Sequence, residues 1–246
     1  MLYARNAIYI SKTNQYTIKN YRILSGGCGI GSNIAECALR LGFEDFTLID
    51  GDKVELSNLN RQNYRQQDIG VDKTEALKNR LLDINSEANI KTYNKYLTSS
   101  NIKEVLAGYD VAINALDFQS DVPLLFDELC QQNNIPVLHP YNIGWATLIF
   151  VVMPNGPNLT MLSKNYEGFE KKVAGFLIEH LEGNTKKWIV KILEEYEIKG
   201  TGQSPPQLSV GSWLAAGACA NILYRLATGK SVRQFPDFYF LTIEDH

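Results

Sequence analysis

Closely spaced metal-binding pairs are missing from this sequence. Its four cysteines, Cys28, Cys37, Cys130 and Cys219, form no C-x-x-C pair, and only three histidines accompany them. Structural zinc sites gather such ligands at short spacings, so no zinc is expected. An excess of one charge is also lacking: 24 Lys and Arg stand against 27 Asp and Glu, a net −3. Nothing there points to nucleic acid or an anionic membrane as partner. No apolar run is long enough to span a bilayer. The most apolar late stretch, Leu208 to Ala227, is interrupted by Ser212, Asn221 and Arg225 and reads as a buried helix. The opening residues, MLYARNAIYISKTN, lack the apolar core of an export signal, so a cytoplasmic protein with reduced thiols is expected. The sequon Asn158-Leu-Thr160 is read as chance for the same reason.

What is present is ordinary globular material: 246 residues, 45% apolar and 21% charged. A chain of this length buries roughly 70–75% of its unfolded surface and needs no staple. Its first half alternates short β-rich runs with helical patterns. Strands are expected at Tyr21–Ser25, Phe46–Asp50, Ile90–Tyr96, Val111–Ala115 and Ile135–His139, and helices at Gly29–Leu41, Lys73–Asn85 and Val122–Asn133. A further strand follows at Trp145–Met153, then two amphipathic helices over 165–199 broken near Gly183-Asn184. A polar loop at Gly200–Pro206, a small-residue helix over 207–228 and a last strand at Phe238–Ile243 complete the chain. The expected fold is α/β: a Rossmann-like, mostly parallel sheet with helices on both faces and antiparallel strands added in the C-terminal half. One domain is expected over 1–246, with a core over 1–153 and an extension over 154–246.

Three signals carry chemistry. Gly26-Gly27-Cys28-Gly29-Ile30-Gly31 lies between a strand and a helix, where glycines let backbone approach a phosphate at a helix N-terminus. A plain structural turn would look the same. Asp50 ends the next strand, 21 residues beyond Gly29, where the acid that binds ribose hydroxyls belongs. Directly after it comes Asp50-Gly-Asp52-Lys53-Val-Glu55-Leu-Ser57-Asn58-Leu59-Asn60-Arg61-Gln62, and Lys73 opens the following helix. Arg61 and Lys73 can neutralise β- and γ-phosphates and Asn58 can donate to phosphate oxygens, which favours a triphosphate over a dinucleotide. The bland alternative is a solvated loop with a salt bridge or two.

The run D-G-D-K-V-E-L-S-N-L-N-R-Q behind a glycine-rich strand–helix turn resembles the signature of the ThiF/MoeB/HesA family, prokaryotic relatives of ubiquitin-activating enzymes. The resemblance is clear over residues 1 to 153 and loose beyond. It implies ATP held by the turn of Gly27, Gly29 and Gly31, by Asp50 and Asp52, and by Ser57, Asn58, Asn60, Arg61, Gln62 and Lys73. It implies Mg²⁺ on Asp117 at the end of the fourth strand, with Phe118 beside it, and an N-terminal arginine, Arg5, reaching the ATP of a partner subunit in a homodimer. Arg5, Arg61, Lys73 and Asp117 would then be the catalytic set. The implied activity is ATP-dependent adenylylation of a carboxylate: the C-terminus of a ubiquitin-like or sulfur-carrier protein, a peptide, or a small acid.

There are departures from the family pattern. Cys28 replaces a loop glycine, Phe118 stands where Asn often follows the aspartate, and residues 131 to 218 hold no cysteine. The family thiol and zinc pairs belong in that half, so transfer without an enzyme thioester is expected. A helix N-terminus can favour thiolate, but Cys28 reads better as packing. His139, before Pro140, reads as structural, and His180 and His246 as inert. The dimer interface is expected near Gly211–Ala220 and Trp145–Met153. The rival reading is a nucleotide-binding scaffold or partner subunit that catalyses nothing.

Overall fold

The computed structural model describes residues 2–199 and 205–243. Among them, seven strands form one sheet in the order β3-β2-β1-β4-β5-β6-β7. Strands β1 (Arg22–Gly26), β2 (Asp45–Ile49), β3 (Asn89–Tyr93), β4 (Val111–Asn114) and β5 (Val137–Ile143) run parallel. Strands β6 (Ala146–Val152) and β7 (Phe238–Thr242) add antiparallel. The expected α/β class is therefore observed, including the antiparallel C-terminal strands.

The inner strands are apolar on both faces because both faces are covered. On one face lie α1 (Lys12–Lys19), α2 (Ile30–Leu41), α3 (Lys73–Ile84) and α7 (Ser209–Ala227), packed on Ile23, Val111 and Ile113. On the other lie α4 (Val122–Gln132), α5 (Phe169–Glu179) and α6 (Gly183–Lys199), packed on Leu24, Ala112 and Phe150. Since β1 has β2 on one side and β4 on the other, the chain reverses direction across the sheet at that point. The crevice outside the carboxyl ends of β1 and β4 is where such sheets bind ligands.

The expected boundaries hold to within a few residues, with three informative differences. β3 stops at Tyr93, because Lys95 N–H turns back to the Tyr93 carbonyl at 2.9 Å, and Tyr96 leaves the sheet. β5 continues through Pro140 to Ile143. Its pairing with β4 ends at Leu138, and beyond that β5 pairs only with β6, where a residue without an N–H is tolerated. Helix α1 has no counterpart among the expected elements. Ile18 is its single buried residue, so it shows no apolar stripe, and its start is marked by Ser11 Oγ accepting from Asn14 N–H.

The small residues of α7 work inside the chain. A Cβ at Gly211 would lie 2.5 Å from Asn142 Oδ1 and 2.7 Å from the Gly144 carbonyl, so only glycine lets the helix meet the sheet there. Ala215, Ala216, Cys219 and Ala220 are buried, and every residue of β6 is buried between β5 and β7. Trp145 and Trp213, 50% and 48% exposed, and Gly217 stay at the surface of these two segments. Of the expected loop at 200–206, residues 200–204 lie outside the described residues, as does His246. Among the described residues no helix is long and apolar enough to cross a membrane.

Candidate nucleotide site

The glycine turn is built by its close approach to the sheet. Gly27 has φ +90° and its N–H donates to the Ile49 carbonyl at 2.8 Å. A Cβ there would stand 2.3 Å from the Ala115 carbonyl oxygen, so both conformation and space demand glycine. Gly31 faces Ser25 Oγ, 3.0 Å from where a Cβ would be. Gly29 caps α2, whose first N–H groups open toward the crevice. The Gln62 amide lies over Gly29, and its Oε1 is buried with no hydrogen-bond partner among the described residues. That is polar capacity left for a ligand.

Asp50 ties the turn together, accepting from Cys28 N–H at 2.7 Å and Asp52 N–H at 2.8 Å. Burial raises its pKa, against the lowering effect of Lys73 and the two N–H bonds. Lys73 Nζ donates to Asp52 Oδ2 at 2.7 Å, and Tyr96 O–H caps the other Asp52 oxygen at 2.7 Å. Those bonds hold Asp52 below its ordinary pKa although partial burial opposes them. Tyr96 lies over Gly51, where a Cβ would come within 2.6 Å of the ring. Nothing in the sequence marks Tyr96 as part of this cluster.

Asp117 sits just past β4. Its carboxylate is solvent-accessible, yet the surrounding walls desolvate it and raise its pKa, with Lys73 and Arg61 opposing and Asp52 adding. No hydrogen bond occupies its oxygens among the described residues, and no group of three acidic, His or Cys side chains there could cage a metal. A lone open carboxylate fits an ion that keeps its water and bridges phosphates. Arg61 is half-buried, and desolvation lowers its pKa. Its Nη1 donates to the Ser57 carbonyl and Asn60 Oδ1, both at 2.9 Å, and its Nε to Gln207 Oε1 at 2.5 Å. Buried Asn58 uses Oδ1 to accept from Glu55 N–H, leaving Nδ2 as a donor. Ser57 and Asn60 thus serve Arg61 through their oxygens. The Phe118 ring stacks on Phe169 at 4.2 Å and 12°, forming an aromatic wall beside Asp117.

A glycine turn, two acids just past β2, a half-buried arginine, a buried lysine and an open aspartate thus share one crevice. The ThiF family model matches residues 3–243. The chain belongs to the ThiF family. It is 31% identical over 133 residues to the tRNA threonylcarbamoyladenosine dehydratase of Escherichia coli, covering 53% of this chain and 49% of that protein. It is 29% identical over 158 residues to the sulfur carrier protein ThiS adenylyltransferase of Bacillus subtilis, covering 62% and 47%. The chain thus spans about half the length of these relatives. The crystal structure of E. coli MccB superposes with a TM-score of 0.71 at 18% identity, over 98% of this chain and 69% of that one. That likeness shows the shared fold.

Arg5 stands apart from the other residues that the ThiF-family resemblance singled out. Arg5 is exposed in a short turn, Ala4–Asn6, whose neighbour Asn6 bonds the Leu41 carbonyl at 2.8 Å. Leu41 ends α2, about 17 Å along the helix from the glycine turn at 1.5 Å per residue. Arg5 therefore lies at the far end of α2 from the crevice of its own chain; the resemblance assigns it to a partner's ATP, not to this one. Lys73 is 7% exposed, with its ammonium on Asp52. Cys28 is fully buried and its pKa is raised by that burial, so the turn holds no activated thiolate. Cys130 and Cys219 are buried and likewise raised, and Cys37, half-buried on α2, is raised too. His139 is buried, with Nε2 2.7 Å from both oxygens of Asp127. His180 caps α5 with Nδ1 2.8 Å from the Phe176 carbonyl.

Proposed function

We propose that this chain binds Mg·ATP and adenylylates a carboxylic acid. The observation that carries the reading is the grouping of Asp50, Arg61, Lys73 and Asp117 around the glycine turn at the carboxyl ends of β1, β2 and β4. A substrate carboxylate oxygen attacks the α-phosphorus, and the bond to the bridging oxygen breaks as pyrophosphate leaves. There is little covalent work for side chains, so positioning and charge neutralisation carry the reaction. The first turn of α2, from Gly29 on, holds phosphate oxygens, since the Gly27 and Cys28 N–H groups are taken by the Ile49 carbonyl and Asp50. Asp50 orients the ribose. Lys73, released from Asp52, and Arg61 meet the negative charge that gathers on the leaving pyrophosphate. Asp117 would hold the magnesium ion, which supplies charge neutralisation when bound.

The named B. subtilis relative supports a sulfur-carrier or ubiquitin-like protein as the acid, with a peptide or small acid as the other classes. The segment from 154 onward, whose α5 supplies Phe169 against Phe118, would line the acid's side of the crevice. No cysteine here joins exposure to a lowered pKa, so the acyl-adenylate passes directly to an external nucleophile. ATP–pyrophosphate exchange across a panel of such acids tests the reading. Exchange that appears with one acid and survives replacement of all four cysteines by serine or alanine is the expected result. Mg·ATP that fails to bind would overturn it, and product formation restored by one returned cysteine would overturn the direct transfer.

Arg5 would act in trans within a homodimer. Ile8, Tyr9 and Tyr16 stand 102%, 88% and 72% exposed on the same N-terminal segment, an apolar surface suited to a second copy. Light scattering is expected to give about twice the 27.7 kDa chain mass. Mixing Arg5→Ala with Lys73→Ala chains should restore exchange that neither has alone. A 27.7 kDa mass at micromolar concentration would remove the trans role.

A further inference from the structure

We propose that Gln207 is a positioning residue for the nucleotide site, fixing the Arg61 guanidinium in the pose that meets the triphosphate. The inference rests on the reading of Arg61 as a phosphate ligand.

Arg61 is a half-buried cation with no carboxylate at salt-bridge distance among the described residues, and burial lowers its pKa. Its opposing charge is Asp117, which acts from beyond salt-bridge distance, so no carboxylate occupies the guanidinium edge and an anion can take it. Its orientation is set by neutral oxygens alone. Nε donates to Gln207 Oε1 at 2.5 Å, and Nη1 donates to the Ser57 carbonyl and Asn60 Oδ1 at 2.9 Å each. The guanidinium is planar, so fixing Nε and Nη1 fixes the plane and aims the Nη2 edge. Ser57 and Asn60 belong to the same exposed loop as Arg61 and move with it. Gln207 is the anchor from elsewhere.

That anchor is itself clipped to the sheet. Next to Gln207, the Leu208 carbonyl accepts from Asn142 Nδ2 at 2.7 Å, and the same nitrogen reaches Ser212 Oγ at 2.9 Å. Asn142 Oδ1 accepts from Gly144 N–H at 2.9 Å at the end of β5. The missing Cβ of Gly211 is what admits this amide. Residues of the C-terminal half are thus pinned across the crevice and place an amide oxygen on Arg61, 146 positions earlier in the chain. A neutral acceptor suits the task, since a carboxylate there would consume the charge the phosphates need.

Calorimetry with Mg·ATP and with AMP tests this on the wild type, Gln207→Ala, Arg61→Ala and the double variant. Gln207→Ala is expected to weaken Mg·ATP about tenfold, the scale of one hydrogen bond to a charged group, while AMP affinity and Tm stay unchanged. In the Arg61→Ala background the second change should have no further effect, because both act through one guanidinium. Gln207→Met, which keeps the length without the acceptor, should behave as Gln207→Ala. Wild-type affinity for Mg·ATP in Gln207→Ala, equal losses for ATP and AMP, or full additivity in the double variant would each overturn the proposal. If Arg61→Ala alone left Mg·ATP binding intact, the role of Arg61 would fall and this proposal with it. A wild type that binds neither nucleotide would overturn the nucleotide reading itself.

Discussion

Asp117→Asn is expected to reduce ATP–pyrophosphate exchange on the order of 10²–10³-fold, the scale of losing one preorganised charge contact in a reaction run by electrostatics. The same change should raise Tm at neutral pH. The reason lies in the direction of the Asp117 shift. Desolvation, with Asp52 nearby, lifts its folded pKa above the ordinary 3.8. An acid with a raised folded pKa binds its proton more tightly when folded, so stability falls as pH rises from about 3.8 through the folded value, and the loss persists at neutral pH. Asparagine imitates the protonated form and removes that loss. The gain should shrink toward zero below the ordinary value of 3.8, where aspartate is protonated in both states. Lower activity with a lower Tm would show that the carboxylate is a structural support. Function would here be retained at the expense of stability, as expected where a carboxylate is kept for a cation.

His139→Ala is expected to be the most damaging change to the fold itself. Asp127 and His139 are each about 1% exposed, on α4 and β5. His139 Nε2 meets both carboxylate oxygens at 2.7 Å, and Asn114 Nδ2 donates to Asp127 Oδ1 at 2.9 Å and to the Pro123 carbonyl. Removing the imidazole leaves a buried carboxylate with one neutral donor and a void beside the Tyr141 ring. Breaking such a pair from one side costs about 3–5 kcal/mol. In a chain of this size that lowers Tm by roughly 10 °C. Thermal unfolding without ligand checks it. An unchanged Tm with lost exchange would assign His139 to catalysis instead.

The succession of strands and helices was legible because it is written in local periodicity, and the glycine turn because strand, glycines and helix are consecutive. Asp50, Arg61, Lys73 and Asp117 could be placed at one end of the sheet from their positions at strand and helix ends. The motif that pointed to the ThiF family is likewise one continuous run, Asp50 to Gln62. Helix α1 was not legible, since a helix with one buried residue carries no apolar stripe. The small residues of Gly211–Ala220 were legible as permitting close approach, but not against what. The structure packs Ala215, Ala216, Cys219 and Ala220 inside the chain and leaves Gly217 at the surface.

What the sequence by itself determined was carried by neighbours along the chain: the fold class, the glycine turn, the acid at the end of β2 and the charged loop behind it. Only the tertiary structure decided which distant groups complete that chemistry. It buried Lys73 against Asp52, capped Asp52 with Tyr96, closed Asp127 onto His139, and brought Gln207 to Arg61. The physical reason is that periodicity and turn preference act over a few residues. Contacts between positions 12 to 146 apart depend on strand order and register, which no short stretch encodes.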